Sequence, residues 1–271
     1  MSRSFSLSYL TAPVDDPFEA LTIAQGAGYA HLGLRLRDPL EGGAASPLVG
    51  SPPLRREMNR RLADAGVTVI EIEAWMLLAG RPVGGDEAVF EAAAALGAPR
   101  LIAVGDRAGA IGMPELCERF ADLCEQASAF GLGVGFEPIA HRSGGRIEDA
   151  LRVVEAGAPW GAGLVLDTLH INRMGIAPDA LRRIDPALLH TIQLCDAPAA
   201  APDLETMIDH SAFNRWVPGE GALPLRDYLL NLPQDRPLAL EIPMQRLAGR
   251  VPPAERARRS IEAARRLLET L

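Results

Sequence analysis

Short apolar runs and longer amphipathic runs alternate eight times along the 271 residues, and nothing else in the sequence restricts the fold so sharply. The runs over 5–10, 30–36, 68–75, 100–106, 132–139, 163–170, 189–196 and 237–244 have the length and composition of buried strands. Between and after them, the segments 16–27, 53–65, 86–96, 114–130, 146–156, 178–184, 225–232 and 253–271 space their apolar residues as amphipathic helices do. Proline opens several of these segments, and glycine follows several ends, as at Gly66, Gly97, Gly131 and Gly157. Eight successive βα units predict an α/β fold, a single (β/α)8 TIM barrel forming one domain over residues 1–271. No GxGxxG follows the first strand, which speaks against a doubly wound dinucleotide-binding sheet. Two long connections, 37–52 and 197–223, follow strands. In a barrel they lie on the catalytic face, where such loops serve as lids or specificity loops.

Four polar side chains sit near the ends of the last four apolar runs: Glu137 in GVGFEPI, Asp167 in GLVLDTLH, Gln193 in HTIQLCDAP and Glu241 in PLALEIPM. A buried carboxylate is costly unless it is paired, hydrogen-bonded or bound to a metal. Active-site residues of such barrels lie at C-terminal strand ends, and neighbouring strands bring these four together. Three carboxylates and an amide oxygen suit one hard divalent cation, Mn²⁺ or Mg²⁺, better than a zinc site built from His and Cys. Such a cation polarises a carbonyl, and a nearby carboxylate can move a proton at the adjacent carbon.

Composition removes several alternatives. All 27 basic residues are arginine, so Schiff-base chemistry, pyridoxal phosphate attachment and a lysine-bearing phosphate loop are excluded. The net charge of −8 argues against nucleic-acid or anionic-membrane partners. No apolar run is long enough for a membrane helix, and the N-terminal MSRSFSLSYLTAP does not read as a secretory signal. Cys117, Cys124 and Cys195 form no CxxC and fit reduced thiols, so a cytoplasmic location is expected. A homo-oligomer is compatible with these features.

Further residues cluster near the same strand ends. His170, three after Asp167, is placed for a substrate contact or acid/base role, and His141 follows Glu137 by four. Arg215 precedes a Pro-Gly turn and is suited to a carboxylate, hydroxyl or phosphate. Asp196 is either a partner of the ligand set or a loop cap, and Glu220 is placed to brace the same loop. Glu71, Glu73 and Trp75 alternate along the third strand and share a face. If that face points inward, Glu73 and Trp75 line the mouth, the indole as a stacking wall for a sugar or cyclitol ring. Arg35 and Arg37 flank the end of strand two; one reaches an acidic substrate and the other is surface. His31 and His190 begin strands and belong to the opposite face.

On the stretches GFEP, LVLDTLH, IQLCDAP, RWVPGEG and LALEIP, the chain resembles the xylose isomerase-like barrel superfamily of sugar phosphate isomerases and epimerases. The first half matches in βα rhythm only. The resemblance implies a barrel binding Mn²⁺, Mg²⁺, Co²⁺ or Zn²⁺ through Glu, Asp, His and Glu. Glu137, Asp167 and Glu241 would be ligands, and Glu137 and Glu241 the acid/base pair of the epimerase and inosose-processing branches. Gln193 departs from the usual histidine. That substitution is similar to some bacterial 3-dehydroshikimate dehydratases, which also have counterparts of His170 and Arg215. The leading expectation is a metal-dependent isomerase or epimerase of a sugar, cyclitol or related polyhydroxy ketone. A 3-dehydroshikimate dehydratase-like lyase ranks second. A three-zinc nuclease lacks its histidines, and a non-catalytic sugar-binding barrel is the remaining class.

Overall fold

In the computed structural model, which describes residues 3–40 and 42–271, eight strands close into a barrel in the order β1 to β8, every neighbouring pair parallel. They are β1 (Phe5–Leu7), β2 (His31–Arg35), β3 (Thr68–Leu77), β4 (Arg100–Gly105), β5 (Gly133–Glu137), β6 (Gly163–Asp167), β7 (Leu189–Leu194) and β8 (Leu238–Leu240). The helices are α1 (Pro17–Ala27), α2 (Pro47–Gly50), α3 (Pro52–Ala65), α4 (Glu87–Ala95), α5 (Met113–Ser128), α6 (Ile147–Ala156), α7 (Thr168–Arg173), α8 (Leu204–Ala212), α9 (Leu225–Asn231) and α10 (Pro253–Leu268). No described helix is long and apolar enough to cross a membrane.

All eight expected strands form, with shifted ends. The helix expected over 178–184 is a 3₁₀ helix, Pro178–Arg183. Strand β6 stops at Asp167 instead of reaching residue 170, because the Asp167 carboxylate caps a new helix by accepting from Leu169 N at 2.7 Å and His170 N at 3.4 Å. His170 therefore projects from a helix. The long connections carry α2 and α8, which the apolar pattern did not announce.

The apolar layer lies between strands and helices. Phe136 of β5 meets Phe120 of α5 edge-on at 5.6 Å, and Phe90 of α4 meets Phe130 at 5.7 Å. Phe90, Phe120 and Phe136 are fully buried, and each contributes roughly 1.5–3 kcal/mol. Inside the barrel the filling is unusually polar. Glu71 of β3 is fully buried, accepts from Ser8 Oγ at 3.4 Å and is electrostatically coupled to Glu241, which follows β8, so its side chain points inward. Gly33 of β2 makes room for this arrangement, since a Cβ there would lie 2.9 Å from Glu73 Oε1 and 3.2 Å from Glu71 Oε1.

One inward expectation fails. The pairing of β3 with β4 shifts register between Ile72 and Trp75, which breaks the alternation after Glu73. Trp75 is not in the mouth: it stacks on Phe90 of α4 at 5.7 Å, outside the barrel, and its Nε1 donates to Asp86 at 2.9 Å. Arg37 is not at the surface either. It is buried, lies over the Trp75 ring and pairs with Asp86 at 3.1 Å.

At the opposite face His31 is held by Thr68 and Ser4 at 2.7 and 2.9 Å, a structural role. The His190 ring packs where Gly163 has no side chain, and Arg100 donates to the His190 carbonyl.

Candidate metal centre and active site

Glu137 ends β5, Asp167 ends β6, Gln193 is the penultimate residue of β7, and Glu241 follows β8 directly. Asp167 is in register with Gln193, and Gln193 with Ala239, so the ends lie side by side at the mouth. Ligand atoms of Glu137, Asp167 and Glu241 lie within 4.8 Å of one another, a buried acidic cluster able to hold a metal ion. Glu137 and Glu241 are 5% exposed, Asp167 1% and Gln193 0%.

The electrostatics of this cluster favour added positive charge. Burial, then the charges of Glu241 and Asp167, push the Glu137 carboxyl well above its ordinary range. Burial also raises Glu241, with Arg215 opposing it. Glu137 Oε1 and both polar atoms of Gln193 are buried without a hydrogen-bond partner. Native proteins rarely leave such atoms orphaned. Three carboxylates and an unpartnered amide form an oxygen-rich donor set that fits a hard divalent ion.

Arg215 is the only guanidinium buried among them in the described residues. Its Nη1 lies 2.7 Å from Asp167 Oδ2 and 2.6 Å from Glu241 Oε2, and donates to the Glu241 carbonyl at 3.0 Å. Burial works against its charge, yet Asp167 and Glu241 hold it firmly protonated. Because a carboxylate has two oxygens and several lone pairs, this ion pair leaves ligating capacity on both acids.

His170 is 1% exposed, with Nε2 at 3.8 Å from Glu137 Oε1 and 3.4 Å from Ser211 Oγ. Burial, then the charge of Arg215, pushes it well below the usual histidine range, so it is neutral. The His141 ring centroid lies 6.3 Å from that of His170, and burial lowers His141 to about 4. Arg35 reaches the mouth from β2, stacked over Tyr9 at 4.2 Å and electrostatically coupled to Glu73 and Glu241. Glu73 accepts from Tyr9 N at 3.0 Å. Burial and Glu241 raise Glu73 to about 8, and the same two causes raise Glu71 to about 7.

Of the residues expected at the site, the structure brings together Glu137, Asp167, Gln193, Glu241, His170, Arg215, His141, Glu73 and Arg35, and removes Trp75. Asp196 is a loop cap: its carboxylate accepts from Ala197 N, Gly219 N, Gly221 N and Leu223 N. Gly221 is required there, since a Cβ would sit 2.3 Å from Asp196 Oδ1. The bracing thus belongs to Asp196, while Glu220 is exposed. Three neighbours were missed. Ser211 comes from α8, Arg142 is electrostatically coupled to Glu137, and Cys195 Sγ lies 3.6 Å from Asp167 Oδ1. Arg142 directly follows His141, the only signal the sequence held.

The family match agrees with this geometry. Residues 22–267 match the xylose isomerase-like TIM barrel family. The chain belongs to that family. Among proteins of known activity, this family member is similar to 3-dehydroshikimate dehydratases of Pseudomonas aeruginosa (25% identical over 255 residues) and Pseudomonas putida (24% over 255). Each match covers 89% of this chain and 38% of the relative, so the chain spans well under half the length of those proteins. Its fold is similar to that of the IOLI protein, solved with a zinc atom (TM-score 0.76, 16% identity, 98% of each chain). It is also similar to a probable 3-DHS dehydratase, AsbF, from Bacillus anthracis (0.72, 15%, 96% of this chain and 98% of that one). A D-allulose 3-epimerase from a Methylomonas species has TM-score 0.68 at 14% identity, covering 98% of both chains.

Proposed function

We propose that this barrel is a divalent-metal-dependent enzyme that removes a proton from the carbon beside the carbonyl of a cyclic polyhydroxy compound and expels a neighbouring hydroxyl as water. This makes it a carbon–oxygen lyase of the 3-dehydroshikimate dehydratase kind. Glu137, Asp167, Gln193 and Glu241 are the ligands, with Mn²⁺ or Mg²⁺ the ions best suited to the set. The bound ion supplies a Lewis acid at the substrate carbonyl.

One observation favours elimination over epimerisation: Arg215 pins Glu241 at 2.6 Å. Epimerisation needs a proton acceptor on one face of the carbon and a donor on the other. With Glu241 held in an ion pair, the acid/base groups left are neutral His170 and Glu137, which lie together on the β5–β6 side. In an elimination one group serves twice. His170 accepts the proton as the C–H electrons form the double bond, and returns it to the departing hydroxyl, which leaves as water. Arg35, His141 and Glu73 orient the substrate's polar groups from the rim. The dehydratase relatives support the same outcome.

The second reading is isomerisation or epimerisation of a sugar or cyclitol. It is favoured by the presence of two carboxylates, Glu137 and Glu241, in one cluster. Proton NMR in D₂O with 3-dehydroshikimate, inososes and ketoses separates the readings. An aromatic product with loss of water supports the lyase. Deuterium uptake into a sugar or inosose without loss of water replaces it with the second reading. Turnover unaffected by EDTA overturns both.

A further inference from the structure

The residues that must touch a substrate are closed off. Glu73, Glu137, Asp167, His170, Arg215 and Glu241 are all at most 5% exposed, so an element over the mouth must move before anything binds. Among the described α-helices, α8 buries the smallest share of its residues. It lies within the long β7 connection, and of its nine residues Ser211 alone is buried. Leu204 and Ile208 on the helix, and Phe213 just after it, are exposed. Elements with so little buried surface open at small cost.

Its two ends differ. The preceding stretch, residues 197–203, contains Ala and Pro with few ties; Arg173 donates to the Pro198 and Ala199 carbonyls at 2.9 and 3.3 Å. The following stretch is anchored. Asn214 bridges Met244, Arg215 N donates to the Pro243 carbonyl at 2.8 Å, and Trp216 exchanges two backbone bonds with Asp196. A helix loosely tied before and anchored after lifts off the mouth only by breaking the contacts of its last turn, where Ser211 sits.

We propose that α8 is a lid and that Ser211 is its latch, a positioning residue that couples closure to the acid/base and guanidinium groups. Ser211 Oγ contacts His170 Nε2 at 3.4 Å, and the Ser211 carbonyl accepts from Arg215 Nε at 3.0 Å. One residue therefore contacts both the ring of His170 and the guanidinium of Arg215, and opening α8 removes both contacts. The long Oγ contact is what a latch shows before substrate tightens it. The inference rests on the mouth being the substrate's place, but its test needs no substrate, so a failed search for turnover leaves it standing.

The test is hydrogen exchange together with the ¹⁵N imidazole spectrum, on the full chain in Mg²⁺. In the unaltered protein, amides of α8 should exchange at least about tenfold faster than those of α10, whose inner face is buried. Ser211→Ala should speed α8 exchange a further fivefold or so, the loss of about one hydrogen bond, with the barrel strands unchanged. The same variant should shift the His170 ring signal, and Ser211→Thr should restore both. Protection of α8 equal to that of α10 overturns the lid. An unmoved His170 signal in Ser211→Ala, or no restoration by threonine, overturns the latch.

Discussion

The two halves of the barrel both bury carboxylates, and they tolerate them by different means. In the β5–β8 half, Glu137, Asp167 and Glu241 crowd around a single guanidinium, with orphaned polar atoms on Glu137 and Gln193. In the β1–β4 half, Glu71 and Glu73 accept from neutral donors, Ser8 Oγ at 3.4 Å and Tyr9 N at 3.0 Å, with Glu71 Oε2 unpartnered and Arg35 near Glu73 but no guanidinium bonded to either, and burial raises them to about 7 and 8. One half is thus organised for added positive charge. The other raises its acids by burial without gathering them on a guanidinium. A buried acid in this fold is not by itself a candidate ligand; the convergence of several on little counter-charge makes one.

The largest effect that would break this contrast is on turnover. Glu241→Gln should lower kcat by at least about a hundredfold, since it removes a charge from the ligand set. Glu71→Gln, deep in the other half, should retain most activity; equal losses in steady-state kinetics would erase the distinction between the halves. Next in size is stability. Arg215→Met leaves Asp167 and Glu241 without their cation and should cost about 3 kcal/mol by urea unfolding in EDTA. Added Mg²⁺ should then recover more stability in the variant than in the parent protein.

A smaller, pH-dependent effect sharpens the other half. The folded value of Glu73 is raised from 4.5 to about 8. A raised carboxylate stabilises the fold below its unfolded value and loses that contribution as pH rises through the folded value. In EDTA, Glu73→Gln should therefore gain stability relative to the parent as pH rises from 4.5 to 8. A pH-independent difference between the two unfolding curves would contradict the assignment. Smallest is Trp75→Phe, which loses the bond to Asp86 and should cost about 1 kcal/mol without changing kcat. A large fall in kcat would return Trp75 to the mouth.

What could be read from the sequence follows the same division. The barrel was legible because each strand and most helices carry their own apolar period. The clustering of Glu137, Asp167, Gln193 and Glu241 was legible because polar residues at the ends of apolar runs stand out, and neighbouring strands fix where they go. The β3 face was misread at Trp75, since a register shift between Ile72 and Trp75 has no composition signal. Asp167 hid its capping role because a ligand and an N-cap use the same residue type. Helix α8 and Ser211 were invisible because the helix buries almost nothing, so no apolar stripe marks it. Arg215 was foreseen as a loop arginine suited to a carboxylate, hydroxyl or phosphate; its burial against two acids of the chain itself is a consequence of the loop's path, which Asp196 sets through four backbone amides.

The central claim is that Glu137, Asp167, Gln193 and Glu241 together hold one divalent cation. Calorimetric titration of the metal-free chain with Mn²⁺, beside Asp167→Asn, tests it most directly. One ion should bind per chain, and at least about a hundredfold more weakly to the variant. No binding to the parent protein, or equal binding to both, would contradict it.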